Sequence, residues 1–335
     1  MKFISKFVLC FMLIANGTTV NAKIFVVTNT NELIDAVRNS NHNNQPDTIS
    51  LYSGTYELTK RLLINENFLT LQSSTHVPSD VIIKGSGMKR ATEIEVLFDI
   101  KSSYVTISGI TIQEAANHLI QLRAESAASH FTLTNCVLRD SFEQMLKVSG
   151  TSGENSPFSD HGRVENCLFE YTNGIGPQYY IGGIDAHRIR NWTIKNNMFR
   201  NIASPGEHIA EHAIHIWNNS KDNIVSGNII INSDRGIGFG MGQKGNQNSG
   251  GIIENNVILH TRPDHPYADA GIIIESSPGT IIRNNIIELN TPYPNAIEYR
   301  FPETQDVKIF DNTVNKRIRA RDGAQATVFN NKRVD

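Results

Sequence analysis

Histidines and carboxylates suited to acid–base chemistry concentrate in one short part of this 335-residue chain. Four of its eleven histidines lie between positions 187 and 215, beside two acidic residues. The set comprises His187, His208, His212, His215, Asp185 and Glu211. An imidazole near neutral pH can remove a proton, and an adjacent carboxylate can orient it. We therefore expect His215 or His187 to act as a general base, with Asp185 as its orienting partner.

These residues belong to a pattern that recurs between Gly182 and Asp322. An apolar residue alternates with a variable one in six segments, namely 184–187, 214–217, 237–240, 272–275, 297–300 and 318–321. Alternation predicts a strand with one buried face, and recurrence at near-constant spacing predicts stacked copies of one unit. If each leading isoleucine points inward, the residues one and three positions later point outward.

The outward positions form two predicted columns. The first contains Lys147, Asp185, His215, Gly238, Ile273, Glu298 and Arg319. The second contains Ser149, His187, Trp217, Gly240, Glu275, Arg300 and Arg321. Glycine inside a strand is unfavourable unless something approaches its backbone closely, so we expect Gly238 and Gly240 to form a bare floor for a substrate. Trp217 is either a platform for the apolar face of a sugar or an indole covered by a loop.

Charged residues dominate the last two segments. Glu298, Arg300, Arg319 and Arg321 lie there on adjacent units of the predicted stack, which we call rungs. One interpretation is a structural ladder of ion pairs. The other is a grip on the carboxylates or sulfates of an acidic sugar chain, which the planar guanidinium fork suits well. In that second interpretation Arg235 or Arg300 clamps the substrate carboxylate.

Three further carboxylates, Glu211, Asp234 and Asp269, each precede an aligned isoleucine by three residues. Such a column could hold Ca²⁺ through oxygen ligands or supply acid and base for hydrolysis. The alternative is that they pair with Arg235 or with turn amides. Calcium is thus the one cofactor these residues suggest, and the sequence does not require it.

Zinc is a weaker alternative, although Glu207, His208, Glu211, His212 and His215 contain ligands at close spacing. Residues 213–217 are predicted as a strand, where helical i, i+4 spacing does not bring ligands together. The order of residues also differs from the zinc-protease phrase.

A second recurring sequence motif fixes the alignment of successive rungs. Its equivalent positions are Gly109, Cys136, Cys167, Asn197, Asn228, Asn256, Asn285, Asn312 and Asn331. We interpret the asparagines as structural, because stacked amides in a tight turn can bond along the ladder. Cys136 and Cys167 occupy matching positions, about 4.8 Å apart, which is within disulfide range. Two stacked, buried thiols are the favoured reading.

A coil of short strands with Asn or Gly at a fixed corner resembles the right-handed parallel β-helix of the pectate-lyase-like superfamily. The resemblance covers roughly residues 24–331 and includes a first rung at 47–56. It implies an all-β fold, a single-stranded right-handed parallel β-helix, which the amphipathic helix predicted at 30–37 would cap. Members of the superfamily mostly act on polysaccharides, often uronate-containing ones, but a scaffold alone does not fix a reaction.

The resemblance implies a polysaccharide lyase that abstracts the proton next to a uronate carboxylate and then eliminates. Three alternatives stay open. The phrase 183–187 is similar to the Asp-Pro-His phrase of alginate C-5 epimerases, with Ala186 in place of Pro. A glycoside hydrolase would use two or three of Asp185, Glu211, Asp234 and Asp269. A non-catalytic glycan-binding or adhesion protein would keep Trp217 and the arginines as contacts.

The first residues have the basic, apolar and small-residue order of a secretory signal peptide. We expect residues 1–22 to be removed and residues 23–335 to form one β-helix domain, secreted or periplasmic, with no membrane segment after cleavage. Loss of Lys2 and Lys6 changes the formal charge from −2 to −4. Without a basic tract, nucleic acid is a poor candidate partner, and we expect a monomer that binds acidic polysaccharide.

Overall fold

A computed structural model describes residues 22–42, 45–89, 94–206, 208–242, 247–263, 265 and 267–334. The predicted signal peptide lies outside the described residues, except for Ala22. No helix in the described ranges is long and apolar enough to cross a membrane.

Parallel strands stack into three long sheets and one short sheet in the described part of the chain. The first sheet has twelve strands: Ile24–Val27, Thr48–Leu51, Thr70–Ser73, Thr106–Ser108, Thr132–Thr134, Arg163–Glu165, Thr193–Lys195, Ile224–Ser226, Ile252–Glu254, Ile281–Arg283, Val307–Phe310 and Ala326–Phe329. The second has ten: Leu62–Ile64, Val96–Ile100, His118–Arg123, Gln144–Ser149, Gly182–His187, His212–Trp217, Arg235–Phe239, Ile272–Glu275, Asn295–Arg300 and Arg317–Arg321.

The remaining elements complete each turn of the coil. The third sheet has eleven strands: Gly54–Glu57, Val81–Lys84, Thr111–Ala115, Val137–Ser141, Leu168–Glu170, Met198–Arg200, Ile229–Ile231, Val257–His260, Ile286–Leu289, Thr313–Val314 and Lys332–Arg333. The fourth has four: Ser159–Asp160, Ile189–Arg190, Ser220–Lys221 and Asn248–Ser249. The helices are the α-helix Thr30–Ser40 and the 3₁₀ turns Pro78–Asp80 and Ala124–Ser126.

The second sheet has the register that the alternating pattern predicts. Ile184 pairs with Ile214, and Ile214 pairs with Ile237. Ile237 pairs in turn with Ile272, and Ile272 with Ile297, so one buried row of isoleucine runs along the core. The predicted parallel β-helix is therefore confirmed.

The asparagine phrase is a ladder inside the coil, as predicted. The Oδ1 atom of Asn228 accepts hydrogen bonds from the backbone N and the Nδ2 of Asn197, both at 3.0 Å. Asn228 Nδ2 donates to the Ile194 carbonyl at 3.0 Å and to Asn256 Oδ1 at 3.0 Å. The same linkage continues through Asn285 to the C-terminal rungs. These side-chain amides hydrogen-bond to backbone N–H and carbonyl groups of the turns, which have no partner in a neighbouring strand.

Two other predictions of local structure hold. Cys136 and Cys167 are buried free thiols, and burial raises the pKa of Cys167. The α-helix begins after Asn29, whose side chain accepts a hydrogen bond from the backbone N of Glu32 at 3.0 Å. The Glu32 carboxylate accepts in return from the backbone N of Thr28 at 2.8 Å. These two hydrogen bonds cap the N-terminus of the helix.

Candidate active site

Residues of each predicted outward column pair with one another on adjacent strands of the second sheet. Lys147 pairs with Asp185, and Asp185 pairs with His215. His215 pairs with Gly238. Trp217 pairs with His187 on the neighbouring rung. The rungs therefore bring the predicted base candidates and their carboxylate to one face.

A buried polar cluster surrounds Asp185; we call Lys147, Asp185, His187 and Trp217 the Asp185 cluster. The Lys147 ammonium contacts Asp185 Oδ2 and donates to His187 Nε2 at 3.0 Å. The Trp217 indole nitrogen donates to Asp185 Oδ1 at 2.7 Å. Burial alone would raise the pKa of the Asp185 carboxyl, but His187 and the Lys147 ammonium lower it below its usual range. Asp185 is thus held as an anion.

His215 lies beside this cluster with one nitrogen fixed and one available. Its Nε2 lies 3.0 Å from the Gly240 carbonyl oxygen, which can only accept, so Nε2 carries the proton. Its Nδ1 faces two carboxylates, Glu211 Oε2 at 3.6 Å and Asp185 Oδ1 at 3.9 Å. In this tautomer Nδ1 can accept a proton, and both carboxylates would stabilise the resulting imidazolium.

His187, the other predicted base, has both ring nitrogens in contact with nitrogen donors. Nε2 accepts from Lys147, and Nδ1 lies 3.3 Å from the side-chain amide nitrogen of Asn218. Burial lowers its pKa. The Trp217 indole lies 4.1 Å from His187 and 5.6 Å from His215 between ring centroids. The geometry therefore favours His215 as the base. The Trp217 indole packs against the rings of His187 and His215.

The glycine floor has a different explanation from the one predicted. A Cβ at Gly238 would lie 2.6 Å from His212 Nε2, so the His212 ring occupies the space above this glycine. Gly240 has a φ of +74°, and a Cβ there would lie 1.7 Å from the Glu275 carbonyl oxygen. Both glycines are buried. The expectation that Gly238 and Gly240 form a bare floor for substrate is wrong, because a neighbouring ring and backbone cover them.

His212 is one of several described side chains with buried polar atoms that have no partner. It is 6% exposed, and neither ring nitrogen has a hydrogen-bond partner. Its ring centroid lies 4.4 Å from that of His215. Burial, together with the neighbouring His215, lowers its pKa well below the usual value, so the imidazole is neutral.

A cleft of about 310 Å³ opens beside His215 on the later rungs. The charged and polar side chains that matter most in its lining are Glu211, His215, Arg235, Asp269, Tyr293 and Arg300. Arg235 Nε lies 3.5 Å from Asp269 Oδ2 and has no hydrogen-bond partner among the described residues. This nitrogen is shielded from solvent, and the remainder of the guanidinium, on a side chain that lines the cleft, is the part suited to bind a carboxylate.

Most of the predicted substrate-binding charges at the last rungs form a ladder of ion pairs. Glu298 is fully buried and accepts hydrogen bonds from Tyr293 and from Arg321 Nη1, the latter at 3.0 Å. Arg300 bonds to Glu275 at 2.8 Å and to Asp322 at 2.7 Å. The structural alternative is confirmed for these residues. Arg319 is exposed and has no ion pair in the described part of the chain.

The three carboxylates proposed for calcium do not come together. Asp234 Oδ2 accepts from the backbone N of Ser204 at 3.0 Å and of Ala210 at 2.8 Å. Asp269 faces Arg235, and Glu211 faces the histidines. Asp234 and Asp269 thus follow the alternative interpretation, in which these carboxylates pair with turn amides or Arg235.

Two residues of the site had no role in the sequence analysis. Lys147 stood in the first predicted column, but its contact with Asp185 became visible only when the neighbouring rungs were in register. Tyr293 lies outside the alternating segments, and no sequence signal distinguished it. Burial and its hydrogen bond to Glu298 raise the pKa of Tyr293, so the phenol keeps its proton.

A family model described as right handed beta helix region matches residues 160–333, more than half of the chain. The chain therefore belongs to the right-handed β-helix family. No curated protein matches the sequence.

Solved structures with the same fold include enzymes and an adhesin. An alginate lyase from Paenibacillus sp. str. FPU-7 has a TM-score of 0.62 and 13% identity, covering 92% of this chain and 99% of that chain. A mannuronic acid specific polysaccharide family 6 lyase from human gut microbiota has a TM-score of 0.55 and 16% identity, covering 92% and 79%. PfbA, a surface adhesin of Streptococcus pneumoniae, has a TM-score of 0.57 and 11% identity, covering 90% and 89%. Identities this low show the fold alone.

Proposed function

We propose that this protein is a secreted or periplasmic polysaccharide lyase that acts on a uronate-containing chain by proton abstraction and β-elimination. One observation carries the proposal: His215 is fixed through Nε2, and its Nδ1 lies between two carboxylates beside a cleft that contains Arg235. A base and a carboxylate clamp are the two groups that this elimination needs first.

In the proposed reaction, His215 Nδ1 takes the proton from C5 of the uronate. The electrons of that C–H bond form the C4=C5 double bond, and the bond from C4 to the bridging oxygen breaks. Arg235 binds the uronate carboxylate, on which negative charge grows as the proton leaves. Tyr293 lines the same cleft but donates its proton to Glu298, so the departing oxygen takes its proton from solvent. Asp185 and Glu211 stabilise the imidazolium.

The hydrolase alternative is weaker because its carboxylates are already engaged. Asp185 is held by Lys147 and Trp217, and Asp234 accepts from two backbone amides. An epimerase would share the proton abstraction and return a proton to C5. A glycan-binding or adhesion role without catalysis is the remaining alternative, since the fold is shared by lyases and by the adhesin PfbA and does not separate the two roles.

The experiment is a panel of alginate, pectate and glycosaminoglycans incubated with the purified protein, with and without Ca²⁺, while the ultraviolet absorbance of unsaturated uronate is followed. We expect absorbance to rise with one substrate class and to stay flat for His215→Gln. The matched control is His161→Ala, an exposed histidine remote from the cleft, which should match the wild type. A flat trace with the wild type on every substrate would overturn the lyase proposal.

A further inference from the structure

His212 is a buried imidazole whose two ring nitrogens have no hydrogen-bond partner in the described part of the chain. Both ring nitrogens are shielded from solvent and make no hydrogen bond. Leaving buried polar atoms unpaired costs roughly 1–3 kcal/mol for each group. A buried group of this kind requires an explanation, and a bound ion is one.

The donors around His212 form a compact set. Ligand atoms of Glu211, His212 and His215 all lie within 4.8 Å of one another. Glu211 Oε2 is 3.6 Å from His215 Nδ1 and 4.0 Å from His212 Nδ1. A tetrahedral ion with bonds of about 2.0–2.1 Å holds its donors roughly 3.3–3.5 Å apart. Small side-chain rotations therefore bring all three atoms onto one ion.

The surroundings fit a metal ligand set as well. Metal-binding histidines usually donate their other ring N–H to a carbonyl or carboxylate, and His215 Nε2 is bonded to the Gly240 carbonyl. Gly238 has no Cβ to displace the His212 ring from this position. Glu211 and both histidines line the cleft, so an ion would keep one coordination position open to it.

We propose that Glu211, His212 and His215 form a binding site for a divalent transition-metal ion such as Zn²⁺. Two imidazoles and one carboxylate suit zinc, whereas calcium and magnesium prefer sites made of oxygen atoms. All three residues belong to the set considered for zinc in the sequence, and the trio differs from the calcium set because His212 and His215 stand in place of Asp234 and Asp269.

Metal binding has a consequence for catalysis that rests on the proposed function. The ion takes the lone pair of His215 Nδ1, which is the atom assigned to accept the C5 proton. The zinc-loaded protein would therefore be inactive, and removal of the ion would restore the base. The binding itself does not depend on the lyase assignment.

The test is calorimetric titration of Zn²⁺ into tag-free, chelator-stripped protein. We expect one ion per chain with the wild type, a loss of affinity of at least about tenfold for His212→Ala and for Glu211→Gln, and no binding of Ca²⁺ at this site. His208→Ala removes an exposed neighbouring histidine outside the trio and should bind as the wild type does. Thermal unfolding of each variant without metal shows whether it is folded.

Titration with Co²⁺ gives a second readout, because visible absorption bands report imidazole and carboxylate coordination directly. Equal zinc affinity in the wild type and both trio variants, or no wild-type binding, would overturn the site. If zinc binds as expected but no substrate is cleaved after its removal, the metal site stands and the proposed function falls.

Discussion

The indole nitrogen of Trp217 donates a 2.7 Å hydrogen bond to Asp185 across two neighbouring rungs. This contact joins a residue predicted to bind sugar to the carboxylate predicted to orient the base. Trp217 therefore acts within the Asp185 cluster, where it fixes the carboxylate beside His215.

Trp217→Phe tests this role, because phenylalanine keeps an aromatic ring and removes the donor. We expect the free energy of unfolding to fall by about 1–3 kcal/mol, the cost of leaving a buried acceptor unpaired. Urea denaturation measures it. Tyr179→Phe, a change at an exposed tyrosine, is the control. Equal stability of the wild type and Trp217→Phe would show that the hydrogen bond contributes nothing.

Lys147→Met removes the cation that contacts Asp185. An uncompensated buried charge costs about 3–5 kcal/mol, so this variant should be strongly destabilised and the pKa of Asp185 should rise. The double variant Lys147→Met/Asp185→Asn removes both charges and should recover part of the loss. Denaturation of the two single variants and the double variant measures their coupling. Additive losses would contradict a direct interaction between these side chains.

Asn228→Ala interrupts the ladder in its middle. The change removes the acceptor for the backbone N of Asn197 and leaves the Ile194 carbonyl without its side-chain donor. We expect a loss of about 2–4 kcal/mol from these unpaired groups. Asn331→Ala, at the last rung, is the matched comparison and should cost clearly less. A larger effect at Asn331 than at Asn228 would be inconsistent with a ladder whose interior amides matter most.

His118 predicts a pH dependence of stability. Burial and the neighbouring Lys147 and Arg123 lower its pKa to about 4, against the opposing effects of its hydrogen bond to the Gln144 carbonyl and of Asp185. The unfolded chain therefore binds this proton at a higher pH than the folded chain does. Stability attributable to His118 is complete above about pH 6.5 and is lost as the pH falls towards 4, by up to about 3 kcal/mol.

The check is urea denaturation of the wild type and His118→Gln between pH 4 and 7.5. Glu143, whose carboxylate lies 3.8 Å from His118, stays unchanged in both proteins. His260 also has a pKa lowered to about 4 by burial, so only the difference between the two slopes reports His118. Parallel curves would show that His118 does not carry the effect.

The sequence predicted the coil and its register because both depend on periodicity. Aligned isoleucines and recurring asparagines repeat once per turn, and a single chain carries enough copies to fix their order. Periodicity did not predict the position of the His212 ring, because His212 lies before the alternating segment 214–217. His212 lies two positions before Ile214, so parity points it inward, yet at the strand's start its ring lies across Gly238 on the neighbouring rung.

The second difference from the prediction is the burial of Glu298. Glu298 stands in an outward column, but Tyr293 and Arg321 cover it completely. Tyr293 reaches it from a connection between strands, and connections of this kind have no periodic signal. Alternation predicts the side of the sheet on which a residue lies; it does not predict which loop residue packs over it.

The most direct test of the central claim is mass spectrometry of the products from a uronate oligosaccharide, compared between the wild type and His215→Gln. We predict that the wild type releases an unsaturated fragment, lighter by one water than the hydrolysis product, and that His215→Gln releases none while remaining folded. Saturated fragments from the wild type, or the same unsaturated fragment at an equal rate from His215→Gln, would contradict proton abstraction by His215.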